Sequence, residues 1–254
     1  MLLVASSACL AAQQAETDPH TVQPQRPTVA THAGTVAPGW LELESGIESD
    51  RYNNRTHGAI VPVLAKLGLA RRLQLEVQAP LVWAPGTGGS GLGDMSLGVK
   101  WRFVEDAPIV ADLAILPSVK VHTGSIDLDT GTGTTDVGLV FISSHELGPV
   151  AMDLNVGYTR RSGDGSVAPR NGVLWTAAFG GPARGALGWV AELYGYPATS
   201  EPAGVPAIVA FLGGPTLQVR RWLVLDVGVI LPVTGPQPRA VYAGAVYNVG
   251  RVWR

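Results

Sequence analysis

Gly91-Leu92-Gly93-Asp94-Met95-Ser96-Leu97-Gly98-Val99-Lys100-Trp101-Arg102-Phe103 decides the fold. Its odd positions (Gly93, Met95, Leu97, Val99, Trp101, Phe103) are apolar or small, and its even positions (Asp94, Ser96, Gly98, Lys100, Arg102) are small or charged. A period of two puts hydrocarbon on one face of a strand and charge on the other. Arg72–Val82 repeats the pattern, with Leu73, Leu75, Val77, Ala79 and Leu81 opposite Arg72, Gln74, Glu76 and Gln78. Val150–Arg160 and Trp222–Pro232 do the same, the latter setting Leu223, Leu225, Val227, Val229 and Leu231 against Asp226.

Outward from that stretch the chain divides into twelve such segments: Trp40–Ser49, His57–Leu67, Arg72–Val82, Leu92–Val104, Pro108–Val121, Asp136–Ser144, Val150–Arg160, Gly172–Gly181, Ala186–Tyr196, Ala207–Gln218, Trp222–Pro232 and Arg239–Val249. Longer links rich in Gly, Asp, Thr and Pro (Asp50–Thr56, Trp83–Gly91, His122–Thr135, Arg161–Asn171, Pro197–Pro206, Val233–Pro238) alternate with tight ones (Gly68–Arg71, Glu105–Ala107, His145–Pro149, Pro182–Gly185, Val219–Arg221). An up-and-down transmembrane β-barrel has short periplasmic turns and longer outer loops, whereas a Greek-key sandwich has no reason to alternate. Trp40, Trp83, Trp101, Tyr158, Trp189, Tyr196 and Trp222 suit aromatic girdles.

Composition agrees. Only 15% of the 254 residues are charged, mean hydropathy is +0.20, and Gly 32 with Pro 19 implies many turns. The best apolar run, Trp222–Val233, is broken by Asp226 and Pro232, too early for a membrane helix. A net charge of -2 gives no bulk attraction to nucleic acid. Cys9 is the sole cysteine, so no internal disulfide forms. The expected organisation is a signal-like apolar leader over 1–15, a Pro/Thr/Gln-rich periplasmic linker over 16–38 and an all-β transmembrane barrel over 39–254 in the bacterial outer membrane.

Several motifs hint at chemistry without the context it needs. Gly86-x-Gly88-x-x-Gly91 matches a dinucleotide fingerprint, but a strand follows where a helix N-terminus must hold the phosphates. Asp127-x-Asp129-x-Gly131, with Asp136 beyond, lacks the closing Glu of a calcium loop. His57, His122 and His145 share no metal-ligand spacing. Ser143-Ser144-His145 offers the Ser/His pair that a lipid-modifying barrel enzyme would use, but Ser144 and His145 point to opposite faces of a strand. Neither an enzyme nor a cofactor is expected.

Pro38-Gly39 with Leu41-Glu42 and Gly46, Arg72-Leu73-Gln74-Leu75 with Pro80, and Gly91-Leu92-Gly93-Asp94 with Leu97-Gly98-Val99-Lys100 and Arg102-Phe103 resemble the family named for the MetA pathway of phenol degradation. Pro108, Ala111, Leu116-Pro117, Gly124, Gly131, Asp136, Ser144, Asn155 and Gly157-Tyr158 continue the likeness from Pro38 to the end of the chain. Ser118 departs from it, standing where Thr or Gly follows Leu-Pro. The resemblance implies an outer-membrane, transporter-like barrel associated with aromatic or other small hydrophobic compounds, and it carries over no catalytic residues.

Basic side chains facing lipid near the midplane cost about 2–4 kcal/mol, so the polar faces belong to the lumen. The phase sends Glu42, Glu44, Glu76, Arg72, Asp94, Lys100, Arg102, Asp112, Lys120, Asp153, Glu192 and Asp226 inward as lumen-lining candidates. Enclosed charges must pair or stay hydrated, which leaves two readings. One is a channel for passive uptake of a small, hydrophobic or aromatic solute; the other is a structural or adhesive barrel with a self-plugged lumen. The expected partners are outer-membrane lipid, that solute and the barrel-assembly machinery.

Overall fold

The computed structural model describes residues 18–253 apart from 87, 109, 110, 167 and 201, so the leader expected over 1–15 lies outside the described residues. The strands are β1 (Trp40–Arg51), β2 (His57–Val61), β3 (Val63–Ala70), β4 (Leu73–Gln78), β5 (Leu81–Trp83), β6 (Ser90–Leu92), β7 (Met95–Ala107), β8 (Ala111–Val121), β9 (Asp136–Leu147), β10 (Val150–Arg161), β11 (Asn171–Arg184), β12 (Leu187–Tyr196), β13 (Ile208–Arg220), β14 (Leu223–Thr234) and β15 (Arg239–Arg251). Every strand pairing is antiparallel, and β15 returns to β1 along its length, from Trp40↔Arg251 to Arg51↔Arg239. Because β2–β3, β4–β5 and β6–β7 are each one crossing segment with a break, the fifteen strands make a closed twelve-stranded barrel.

Side-chain phase follows the hydropathy. In β7, Lys100 is 0% exposed while its neighbour Trp101 is 51% exposed and Leu97 52%. In β14, Asp226 is 5% exposed and Val227 52%. A one-residue slip in register would put every charge on the apolar outside, so this alternation fixes the pairing. Among the described residues no helix is long and apolar enough to cross a membrane; the crossing is made by strands.

The three breaks lie side by side. Pro62 divides β2 from β3, Pro80 falls between β4 and β5, and Gly93-Asp94 falls between β6 and β7. Proline cannot donate to a ladder and is confined to edges, strand starts and bulges. The wall creases where Ala79 N–H donates to Val63 (2.9 Å) and Gly93 N–H to Pro80 (2.8 Å). A Cβ on Gly93 would lie 2.9 Å from Pro80 Cγ, which is why the crease needs glycine there. Beyond it β6 pairs with β5 alone, and the 122–135 loop caps its neighbourhood through Gly89 N–H to Leu128 O (3.0 Å).

The segment read as a periplasmic linker is instead an ordered plug. From residue 18 it enters the barrel at the short-turn end, where Val22 N–H donates to Arg221 O (2.9 Å). It climbs to the middle of the lumen at Arg26–Ala30, turns, and descends to a parallel bridge between Pro38 and Gly68 before β1 begins. Its Pro, Thr and Gln content keeps it irregular, while the wall supplies the hydrogen-bond partners that an irregular buried backbone lacks.

Candidate functional site

The lumen has three levels. At the short-turn end, Glu105 receives Arg71 (2.9 Å), Arg72 (2.5 Å) and Arg102 (2.7 Å), and Arg102 also reaches Asp112 (3.0 Å). Arg72 sits in the turn after β3 with φ 75 and is drawn into this rim cluster instead of into mid-lumen. A vestibule of about 1370 Å³ opens here, between the plug residues His32–Pro38 and a wall that includes Arg72, Arg102, Asp112, Ser144 and Asp153.

In the middle level the wall holds the plug by its backbone. Glu42 accepts the N–H of Gln23 (2.8 Å), and Glu44 accepts those of Gln25 (2.8 Å) and Arg26 (2.9 Å). Glu192 takes Val29 (2.8 Å) and Ala30 (2.7 Å), Asn155 takes Thr31 (2.7 Å), Ser144 takes Ala33 (2.8 Å) and Gln74 takes Val36 (2.7 Å). Lys66, wholly buried, bridges Glu42 (2.6 Å) and Glu44 and donates to Gln23 O. Lys100 reaches His32 O (3.0 Å) and Thr31 Oγ1 (3.2 Å), with Glu76 at 3.6 Å. The plug's own cation, Arg26, pairs with Asp226 at 3.1 Å. Its guanidinium occupies the space over Gly46 and Gly244, which face each other across β1 and β15. A Cβ at either position would come within 2.6 Å of that guanidinium. Asp153 accepts from Ser144 Oγ (2.5 Å), steadying the hydroxyl that holds Ala33. His32 is half-buried beside the vestibule, its Nε2 has no hydrogen-bond partner, and desolvation first, then Lys100 and Lys66, push its pKa well below the usual histidine value.

Above the plug the inner wall changes character. Tyr194, Ala210, Leu212, Ile230, Ala240 and Tyr242 from β12–β15 form one buried cluster, and the Tyr242 hydroxyl has no partner. Opposite, near the crease, Lys120 joins Asp94 (2.7 Å) and Asp136 (3.1 Å), and Arg161 lies 3.5 Å from Asp136. Asp94 also takes N–H groups from Gly124 (3.1 Å) and Thr132 (2.9 Å), tying the 122–135 loop across the mouth.

The lumen-lining candidates therefore do not share one open path. Glu42, Glu44, Glu76, Lys100, Asp153, Glu192 and Asp226 gather around the plug; Arg72, Arg102 and Asp112 stand at the short-turn rim; Asp94 and Lys120 stand at the long-loop mouth. Lys66 was missed although it completes the Glu42–Glu44 pair, and so were the apolar inner residues of β12–β15. Their signal was present: Ala240-Val241-Tyr242-Ala243 is apolar on both phases, as a strand buried on both sides should be. Ser144 and His145 stay apart as expected, yet Ser143 Oγ meets His145 Nε2 at 2.8 Å on the outward phase. Their cross-strand neighbours there are the apolar Leu113, Leu154 and Met152. Asp127 and Asp129 are exposed turn residues.

The family described as "Putative MetA-pathway of phenol degradation" matches residues 25–231, most of the chain, and the protein belongs to it. No curated protein matches the sequence. Among solved structures, an outer membrane channel from Pseudomonas putida F1 superposes with a TM-score of 0.66 at 13% identity, covering 89% of this chain and 99% of that one. The NanC porin gives 0.57 at 9% identity, covering 82% and 98%, and the KdgM porin in complex with disordered oligogalacturonate gives 0.53 at 12%, covering 81% and 98%. At these identities the likeness is one of fold.

Proposed function

Taking membership of that family as premise, we propose that the protein is a gated channel of the bacterial outer membrane for passive entry of small hydrophobic or aromatic compounds, and not an enzyme. The observation that carries this reading is the content of the lumen: a vestibule of about 1370 Å³ at the short-turn end, closed above by a plug that is no part of the wall, with the buried apolar cluster of β12–β15 beyond it. Short turns face the periplasm in barrels of this kind, so the plug enters from that side and the Asp94–Lys120 mouth faces outward.

Tyr194, Leu212, Ile230 and Tyr242 are packed together at 1–4% exposure, and their apolar surface becomes available to a ring-shaped solute only when the plug shifts. The plug below is held chiefly by backbone N–H groups on carboxylates and amides, bonds that water can replace one at a time as the segment shifts. Unlatching it opens the lumen above the vestibule without disturbing any strand ladder.

Planar-bilayer recording tests this. Glu192→Gln with Asp226→Asn removes the charges that hold Ala30 and Arg26, and should raise open probability about tenfold, the factor for losing roughly 1.4 kcal/mol of latch energy. Liposomes carrying the variant should admit a small phenol faster than those carrying the native chain. If both proteins are folded by heat-modifiable gel migration, carry no current and admit no phenol, the self-plugged structural barrel is the correct reading.

A further inference from the structure

At the outer rim, Arg51 of β1 and Arg239 of β15 are register partners, directly opposite each other in the ladder. Like charges so placed destabilise a strand pair. Both lie on the outward phase, two positions beyond Ser49 and Val241, whose valine is 59% exposed on the apolar belt. His57 of β2 continues the row as Arg51's partner on the other side. Arg55, in the loop between β1 and β2, holds φ 66, a left-handed conformation that favours Gly, Asn or Asp. With Tyr52 and Asn53, the three arginines line a cavity of about 340 Å³. None of the three makes an ion pair among the described residues, although most other arginines are bonded to an acid or a carbonyl.

We propose that Arg51, Arg55 and Arg239 form a binding site for the phosphate groups of an anionic lipid in the outer leaflet. The position selects the ligand. The site sits where the apolar belt ends and faces away from the lumen, so its occupant approaches through the membrane's headgroup layer. Guanidinium groups bind phosphate bidentately, and a phosphate between Arg51 and Arg239 converts their repulsion into a bridge across the seam where the barrel closes. The cavity has room for the phosphate and its sugar but is polar, which excludes an acyl chain; the chains would lie below, along Ile47 and Val241.

The inference rests on the outward orientation of the long loops adopted above, but its test does not depend on conduction. The full chain is reconstituted in phosphatidylcholine nanodiscs doped with bisphosphorylated lipid A or with its dephosphorylated form, re-extracted, and its retained lipid weighed by mass spectrometry. Native protein should retain the phosphorylated lipid about tenfold better, and R51Q/R55Q/R239Q should lose that preference, the scale expected for a charge-assisted phosphate contact. Arg184→Gln with Arg220→Gln, at the opposite rim, should keep it. Thermal unfolding gives a second readout that needs only the single R51Q variant. Removing like-charge opposition should make R51Q more stable than native protein in pure phosphatidylcholine, and less stable than native protein with bisphosphorylated lipid A present. Equal retention of the two lipids, an unchanged preference in the triple variant, or the same stability order in both membranes overturns the proposal. Calorimetric binding of inorganic phosphate without lipid preference would give the site to a soluble anion and likewise overturns it.

Discussion

The arc of wall from β1 to β7 and the arc from β12 to β15 have similar outsides and opposite insides. On the first arc the inward residues are Glu42, Glu44, Lys66, Gln74, Glu76 and Lys100, all buried, and the strands break at Pro62, Pro80 and Gly93. On the second they include Tyr194, Ala210, Leu212, Ile230, Ala240 and Tyr242, on strands that run unbroken from rim to rim. The difference lies in what each wall can satisfy. Charged residues bind an irregular polypeptide because they satisfy its backbone groups, whereas the apolar wall packs on itself, its six residues at 0–5% exposure. The exceptions, Glu192 and Asp226 on the second arc, lie where the plug crosses to that side.

The largest expected effect falls on the charged arc. Lys66→Met leaves Glu42 and Glu44 facing each other in a dry site with no cation between them. Breaking such a buried group from one side costs about 3–5 kcal/mol, so urea unfolding from vesicles should show a large loss, accompanied by protease access to the released plug. Restoring neutrality with Glu42→Gln and Glu44→Gln should recover much of it. An unchanged unfolding midpoint in Lys66→Met would mean that the charged arc is not what holds the plug.

The two outsides should behave alike whatever the insides do. Leu75→Arg on β4 and Val227→Arg on β14 each place a cation on the lipid face, and each should cost about 2–4 kcal/mol if near the bilayer midplane. The readout is the folded fraction after assembly into vesicles. A tolerated arginine on one arc only would show that arc to be something other than lipid-facing wall.

Much of this was legible beforehand because it depends on period and spacing. Alternation in Gly91–Phe103 placed Lys100 inside and Trp101 outside, and alternating link lengths gave the up-and-down order. The plug was not legible, because residues 18–38 have neither period; their order comes from carboxylates and amides scattered over β1, β4, β10 and β12. A hint was available. Glu42 and Glu44 share a strand face two residues apart, and Lys66 alone cannot satisfy four carboxylate oxygens, so further donors had to come from somewhere. Pro62 and Pro80 did not by themselves mark the crease, because β8, β11, β13 and β14 carry Pro117, Pro182, Pro215 and Pro232 without a break. The apolar cluster of β12–β15 carries no charge to flag it, although the inward phase of β15 holds Ala240, Tyr242 and Val246.

The smallest effect concerns the plug's own histidine, where pH should tilt the plug. His32 is half-buried, and desolvation with the charges of Lys100 and Lys66 holds its pKa well below the usual value when docked. Once the plug leaves, the imidazole regains an ordinary pKa near 6.5. Below that value the released segment binds a proton that the docked one refuses, so docking is fully stable above about pH 6.5 and weakens as pH falls toward the docked pKa, by at most about 1.4 kcal/mol per unit. Open probability in planar bilayers should therefore rise between about pH 6.5 and 5 by up to roughly tenfold per unit. His32→Gln keeps a polar side chain of similar reach but cannot titrate, and should flatten that rise while leaving conductance at neutral pH close to native. A rise that persists in His32→Gln would move the pH sensor to another residue and leave His32 as a packing residue only.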